Sequence, residues 1–215
     1  MKKGWKSIYL SLGLLAAFAL WTGLLCFVDV AAIGPRGSSV GFSSLNGWFH
    51  ELTGANMALY VLTDWLGLVP IAVALGFAVL GLIQWIKRRG ICKVDKTLFA
   101  LGGFYIVVMA AYVVFEFVVV NRRPVLIDGY LEASYPSSTT MLVACVMPTA
   151  LMQFHARIQN KTLRRVIDVG LILFTAFMVL GRLISGVHWL SDIIGGLLLS
   201  AGLVASYYGA TCFLE

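Results

Sequence analysis

Arg182-Leu-Ile-Ser-Gly-Val-His188-Trp-Leu-Ser-Asp192 separates two apolar runs, 166–183 and 189–210. Each run is close to the length of roughly 20 residues that crosses a hydrocarbon layer as a helix. Read as the junction between two spans, the stretch places an arginine, a histidine and an aspartate at a membrane edge. Ionisable groups there are functional candidates by default. His188 and Asp192 are four apart, so they share a face if one helix carries both. A carboxylate so placed holds the imidazole in one tautomer and supports a cation on it. Arg182 brings a forked donor suited to phosphate or carboxylate.

Outward from this junction the chain repeats the same pattern. Of its 215 residues, 60% are hydrophobic and only 12% charged, and the mean hydropathy is +0.91. A soluble domain carries about twice that charged fraction. Apolar segments fall at 8–28, 66–86, 98–120, 136–154, 166–183 and 189–210. They predict an all-α polytopic membrane protein: a six-transmembrane-helix bundle in one membrane-embedded domain spanning 1–215. The fourth and fifth segments are short, as helices ending in a cavity or at an interface would be. The first follows Lys2, Lys3 and Lys6 like a signal sequence. It is long enough to span, however, and Thr22-Gly-Leu-Leu-Cys26 is a poor cleavage site, so an uncleaved helix is expected. Between the first two spans, 29–64 reads as a loop with one or two short amphipathic helices at the interface. His50 reads there as a solvated interfacial histidine. Cys26, Cys92, Cys145 and Cys212 lack metal-site spacing, and the two inside apolar segments read as small hydrophobes.

The net charge of +6 is distributed in short loops, the pattern of membrane topology and not of a nucleic-acid face. Lys2, Lys3 and Lys6, then Lys87, Arg88, Arg89, Lys93 and Lys96, then Arg157, Lys161, Arg164 and Arg165 fall on one side of a six-span chain. That side is expected to be cytoplasmic, with both termini. Arg36, Arg122, Arg123 and Arg182 fall on the other. Topology does not call for arginines there; a local anion site does.

Three stretches meet on that second side. Glu116-Phe-Val-Val-Val-Asn-Arg-Arg-Pro124 closes the third span. Tyr135-Pro-Ser-Ser-Thr-Thr140 opens the fourth, and Arg182–Asp192 joins the fifth to the sixth. Pro136 suits a first helical turn. Ser137, Ser138 and Thr139 would then offer amides and hydroxyls at a helix N-terminus, an anion cradle.

Together these stretches resemble the type-2 phosphatidic acid phosphatase superfamily, which includes the vanadium haloperoxidases. Its pattern is Lys-x6-Arg-Pro, then Pro-Ser-Gly-His, then Ser-Arg-x5-His-x3-Asp. Arg123-Pro124 matches the end of the first motif and Pro136-Ser137 the start of the second. Arg182, His188 and Asp192 match the third in spacing. The resemblance implies that His188 attacks phosphorus to form a phosphohistidine and that Asp192 orients and charge-supports it. Arg123 and Arg182 would grip phosphoryl oxygens with Ser137, Ser138 and Thr139. No metal or other cofactor is implied, because fixed donors can stabilise the developing charge.

Two departures bear on the chemistry, beside the milder change of Ser138 for the motif glycine. Glu116 stands where the first-motif lysine belongs, and Arg122 is the nearby cation that could restore the charge. Thr139 stands where the second-motif histidine, the leaving-group acid, belongs. Threonine is no general acid near neutral pH; Tyr135, Glu132 and Glu116 are the alternatives nearby. Acid assistance is worth about 10²–10⁴-fold when an alkoxide departs. A departing phosphate monoester, with a second pKa of about 6, needs little. The reading is therefore a membrane lipid phosphatase acting outside the cytoplasm on a polyprenyl diphosphate such as undecaprenyl diphosphate. The alternatives are a phosphatidic acid or phosphatidylglycerophosphate phosphatase, a lipid phosphotransferase and a non-catalytic lipid-phosphate binder. The expected partners are the lipid substrate and membrane lipids, with no nucleic acid.

Overall fold

A computed structural model describes residues 1–214. Its α-helices are α1 (Lys2–Phe27), α2 (Ser43–Thr53), α3 (Met57–Leu66), α4 (Leu68–Arg88), α5 (Lys96–Phe117), α6 (Ser138–Arg157), α7 (Lys161–Ile184) and α8 (Leu190–Leu214). Six units are long and apolar enough to cross a membrane: α1, α3 with α4, α5, α6, α7 and α8. The protein is an all-helical, multi-pass membrane protein, as the apolar segments predict.

Two boundaries differ from the sequence reading. The second span begins at Met57, because α3 is itself apolar and runs into α4 as one unit of 32 residues. Between the first two spans lie α2 and a single 3-10 turn at Pro35–Gly37, and Asp64 lies inside a span. The fifth span is not short: α7 has 24 residues. Its basic first turn is helical, opened by Asn160, whose side chain accepts the Leu163 amide at 3.0 Å.

α6 is the central helix. Over half of its apolar window, 56%, is buried, against 17% for α1 and α7, which face outward. α1 and α8 run antiparallel in close contact. Ser7 and Ser11 donate to the Ala205 and Gly202 carbonyls at 2.8 Å, and Trp21 donates to the Ser191 carbonyl at 3.2 Å. Small residues permit this approach of two backbones in an apolar medium. Trp5 meets Phe213 at the end of the bundle that holds both described ends of the chain. At that end Asp95 joins Arg88 and Arg157. The junctions α5–α6 and α7–α8 lie at the opposite end, where the candidate site forms.

Candidate functional site

The α5–α6 connection is folded back on itself as a small hairpin. Arg122 bridges Ala133, and Ile127 bridges Tyr130. Asp128 and Gly129 form its tip, both with positive φ (49° and 81°). A two-residue turn of that kind favours Asp-Gly because both positions need left-handed backbone. Arg36 steadies the tip by donating to the Gly129 carbonyl at 3.0 Å. The hairpin carries Asn121, Arg123, Glu132 and Ser134 to the mouth of the bundle.

His188 arrives from the α7–α8 turn. Gly186 makes that turn possible: its φ is +64°, and a Cβ there would lie 1.7 Å from the Gly54 carbonyl oxygen. The imidazole is buried. Its Nδ1 lies 3.1 Å from the Ser134 carbonyl, which can only accept. Nδ1 therefore carries the proton, and Nε2 holds the free lone pair, 3.4 Å from Arg123 Nη1. Burial is the largest influence on this group and pushes its pKa down to about 4. The Asp192 carboxylate pulls the other way, and Arg123 adds to the depression. At neutral pH the ring is uncharged, the state a nitrogen nucleophile requires.

Asp192 does not meet His188 as the spacing suggests. The nearest approach, Nδ1 to Oδ2, is 3.8 Å. The reason is local: α8 begins at Leu190, so His188 lies outside the helix and the shared-face geometry does not apply. Asp192 is the third helical residue and reaches back to the Trp189 amide at 2.9 Å, closing the first turn. The Ser134 hydroxyl occupies the space between the two groups, 3.1 Å from Nδ1 and 2.5 Å from Oδ2. Asn121 donates to Oδ1 at 3.3 Å. Asn46 holds the neighbouring Ser191 through the serine's amide (3.1 Å) and hydroxyl (2.9 Å).

Arg182 lies across from the hairpin and is 1% exposed. Its Nη2 donates to Asp64 and to Thr139 Oγ1, both at 2.6 Å, and its guanidinium lies 4.9 Å over the Tyr60 ring. Nε and Nη1 have no hydrogen-bond partner. Thr139 is thus an acceptor that orients Arg182, and a threonine hydroxyl is too weak an acid to protonate a leaving group near neutral pH. Beside it, α6 begins at Ser138 with Ser137 as its cap, so Pro136 precedes the helix instead of opening its first turn. The Ser137 amide is taken by the Asp192 carbonyl at 3.1 Å. Its buried hydroxyl is unpartnered. The amides of Ser138, Thr139 and Thr140 are the orphan donors of the new helix.

Arg123, Ser134, Ser138 and His188 line a polar cavity of about 230 Å³ together with Glu116 and Glu132. Glu132 lies 3.0 Å from Arg123 Nε. The contact is one of charge without alignment, since that N–H still lacks a hydrogen-bond acceptor. Arg122 is not brought to the site: it donates outward to the Leu131 carbonyl at 2.9 Å. It therefore supplies no cation in place of the motif lysine, and among the described residues Glu116 has no ion-pair partner. Tyr135 is buried, with its hydroxyl 2.6 Å from Thr22 Oγ1 and directed at α1, away from an acid's role. Burial raises its pKa further. His50 is half-buried against Trp189, ring centres 5.5 Å apart, and is not the solvated histidine expected; burial lowers its pKa. Cys145 is buried as its segment implied, whereas Cys26 is exposed, and both are free thiols. Among the described residues no His, Cys, Asp or Glu group gathers as a metal set.

Ser134, Asn121, Asn46, Asp64 and Tyr60 were not singled out as site residues by the sequence. Asp128-Gly129 between two extended runs is the signal that identifies the hairpin carrying Asn121 and Ser134. Nothing local identifies Asn46, Tyr60 or Asp64, which reach the site through tertiary packing.

Residues 98–211, more than half the chain, match the PAP2 superfamily, and the protein belongs to that superfamily. Its fold is similar to that of the first transmembrane PAP2 type phosphatidylglycerolphosphate phosphatase from Bacillus subtilis. The TM-score is 0.56 at 18% identity, over 95% of this chain and 97% of that one. No curated protein sequence matches. The fold is thus that of a membrane phosphatase.

Proposed function

We propose that the protein is a lipid phosphatase that removes the terminal phosphate of a polyprenyl diphosphate through a phosphohistidine on His188. The observation that carries this reading is a neutral, buried imidazole whose lone-pair nitrogen faces Arg123, with the two unpartnered nitrogens of Arg182 nearby. Buried donors without acceptors are costly, about 1–3 kcal/mol each, unless a ligand fills them. A phosphoryl group supplies that many acceptors, and arginine matches its geometry.

In the first step His188 Nε2 attacks the terminal phosphorus. The bond to the bridging oxygen breaks, and its electrons leave with the lipid monophosphate. Arg123, Arg182, the Ser137 hydroxyl and the α6 amides hold the charge on the transferring oxygens. Water then attacks phosphorus, the P–N bond breaks, and Nε2 regains its lone pair as inorganic phosphate departs. Tyr135 is committed to Thr22 and the Thr139 hydroxyl is too weak an acid, so neither protonates a leaving group. A diphosphate substrate does not need them to.

The opposite end carries Arg88, Arg157 and the lysines of both junctions there, so we place it in the cytoplasm and the site outside. That suits recycling of a cell-wall carrier lipid. Purified protein should release phosphate faster from undecaprenyl diphosphate than from phosphatidic acid in matched detergent. It should also trap acid-labile phosphate that His188→Ala does not. The reverse substrate order would overturn the diphosphate assignment. A second reading has one observation in its favour: Glu116 lines the cavity without an ion-pair partner. If it protonates an alkoxide, Glu116→Gln will slow phosphatidic acid hydrolysis selectively.

A further inference from the structure

We propose that Ser134 is a positioning residue that transmits the Asp192 charge to His188. The inference rests on the assignment of His188 as nucleophile. Its geometry is independent of any family motif, for Ser134 precedes the second motif and lies 54 and 58 residues from its two partners.

Asp192 has three donors around it: the Ser134 hydroxyl and the Trp189 amide on Oδ2, and Asn121 on Oδ1. None of these is His188, which stops 3.8 Å short. The Ser134 hydroxyl has one proton and a lone pair facing the ring. Asp192 is the stronger acceptor and accepts the Ser134 O–H hydrogen bond at 2.5 Å. The lone pair of Oγ then faces Nδ1–H at 3.1 Å, shared with the serine's own carbonyl. The chain runs Nδ1–H to Oγ–H to carboxylate, with every donor aimed at an acceptor. No proton need move along it.

The order of the three residues also excludes a familiar alternative. In a serine-nucleophile triad the histidine sits between serine and carboxylate and takes the serine's proton. Here the serine sits between, its proton is held by the carboxylate, and the free nitrogen of the ring points to Arg123 instead. Ser134 is therefore built to support a histidine.

When Nε2 bonds to phosphorus, positive charge develops on the ring, and burial penalises it. A polarised hydroxyl against Nδ1–H offsets that penalty in proportion to the charge, so it acts on the transition state more than on substrate binding. A hydrogen bond involving a charged group contributes about 1.5–3 kcal/mol, or on the order of 10–100-fold in rate.

Ser134→Ala should lower kcat by about 10–100-fold on the lipid diphosphate while KM stays within about threefold. Ser134→Thr, which keeps the hydroxyl, should restore most of the rate. Binding gives a reading that needs no turnover. Orthovanadate, which forms a bond to nitrogen, should bind Ser134→Ala more weakly by a factor similar to the loss in kcat. Sulfate, which forms none, should bind equally. Three results would overturn the proposal. In the first, kcat and vanadate affinity stay within about twofold of wild type. In the second, Ala and Thr variants alike lose sulfate binding, which makes the role packing only. In the third, wild type holds acid-stable phosphate that Ser134→Ala abolishes, which makes Ser134 the nucleophile. Absence of turnover in wild type would sink the functional assignment instead, and the vanadate and sulfate comparison would still judge Ser134.

Discussion

Two arginines, one at each end of the bundle, show what separates a brace from a binding site. Arg157 ends α6 and is held by three hydrogen bonds from its two terminal nitrogens. It donates to the Gln153 carbonyl at 3.1 Å, to the Gln153 side chain, and to Asp95 at 3.3 Å. Asp95 in turn holds Arg88 at 2.8 Å and Gln84 at 2.8 Å, so it ties α4, the α4–α5 junction and α6 together. Arg182, near the end of α7, is more deeply buried and yet less satisfied, with two nitrogens lacking an acceptor. Both arginines have a carboxylate partner. The difference is what remains unfilled, and in the proposed function an anion fills it.

The largest expected effect is at the chemistry itself. His188→Ala should reduce turnover on the order of 10⁴-fold or more, read as phosphate release, with sulfate binding largely retained. Next, pH should act through the same ring. Its pKa is depressed to about 4, so kcat/KM should hold as pH falls from 7 to about 5 and drop tenfold per unit below about 4. An acid limb near 6.5, the ordinary value, would show that His188 is not buried in the working enzyme. Arg182→Lys keeps the charge but loses the fork, and about 10–100-fold in kcat/KM should go with it. Glu132→Gln should act the other way. It removes the carboxylate that faces Arg123, so KM should fall several-fold, about the strength of a half-exposed ion pair. Asp95→Asn, at the opposite end, should leave kcat within about twofold and reduce thermal stability in detergent by no more than about 1 kcal/mol. A large loss of activity in Asp95→Asn would erase the distinction between the two ends.

Part of the site is legible in the sequence. Arg123, His188 and Ser138 line one cavity, and Arg182 shares the Tyr60 ring with Arg123. Arg122 does not join them, because its guanidinium is used to close the hairpin on the Leu131 carbonyl. Asp192 converges by a different route, because a helix that starts at Leu190 turns its third residue back on its own first turn. The interval of four carried no information about where the helix begins.

The sequence by itself determined the number of spans and the gathering of basic residues at one end, because hydropathy and loop charge are local and the bilayer leaves few alternatives. It also determined which ionisable groups sit at membrane edges. Only tertiary structure decided which of them touch. Ser134 lies between His188 and Asp192 because an Asp-Gly turn folds the α5–α6 connection back over α8. Asp64 reaches Arg182 because α3 joins the second span. Such contacts depend on where separate helices dock, and docking is set by packing over the whole bundle and not by any short stretch of the chain.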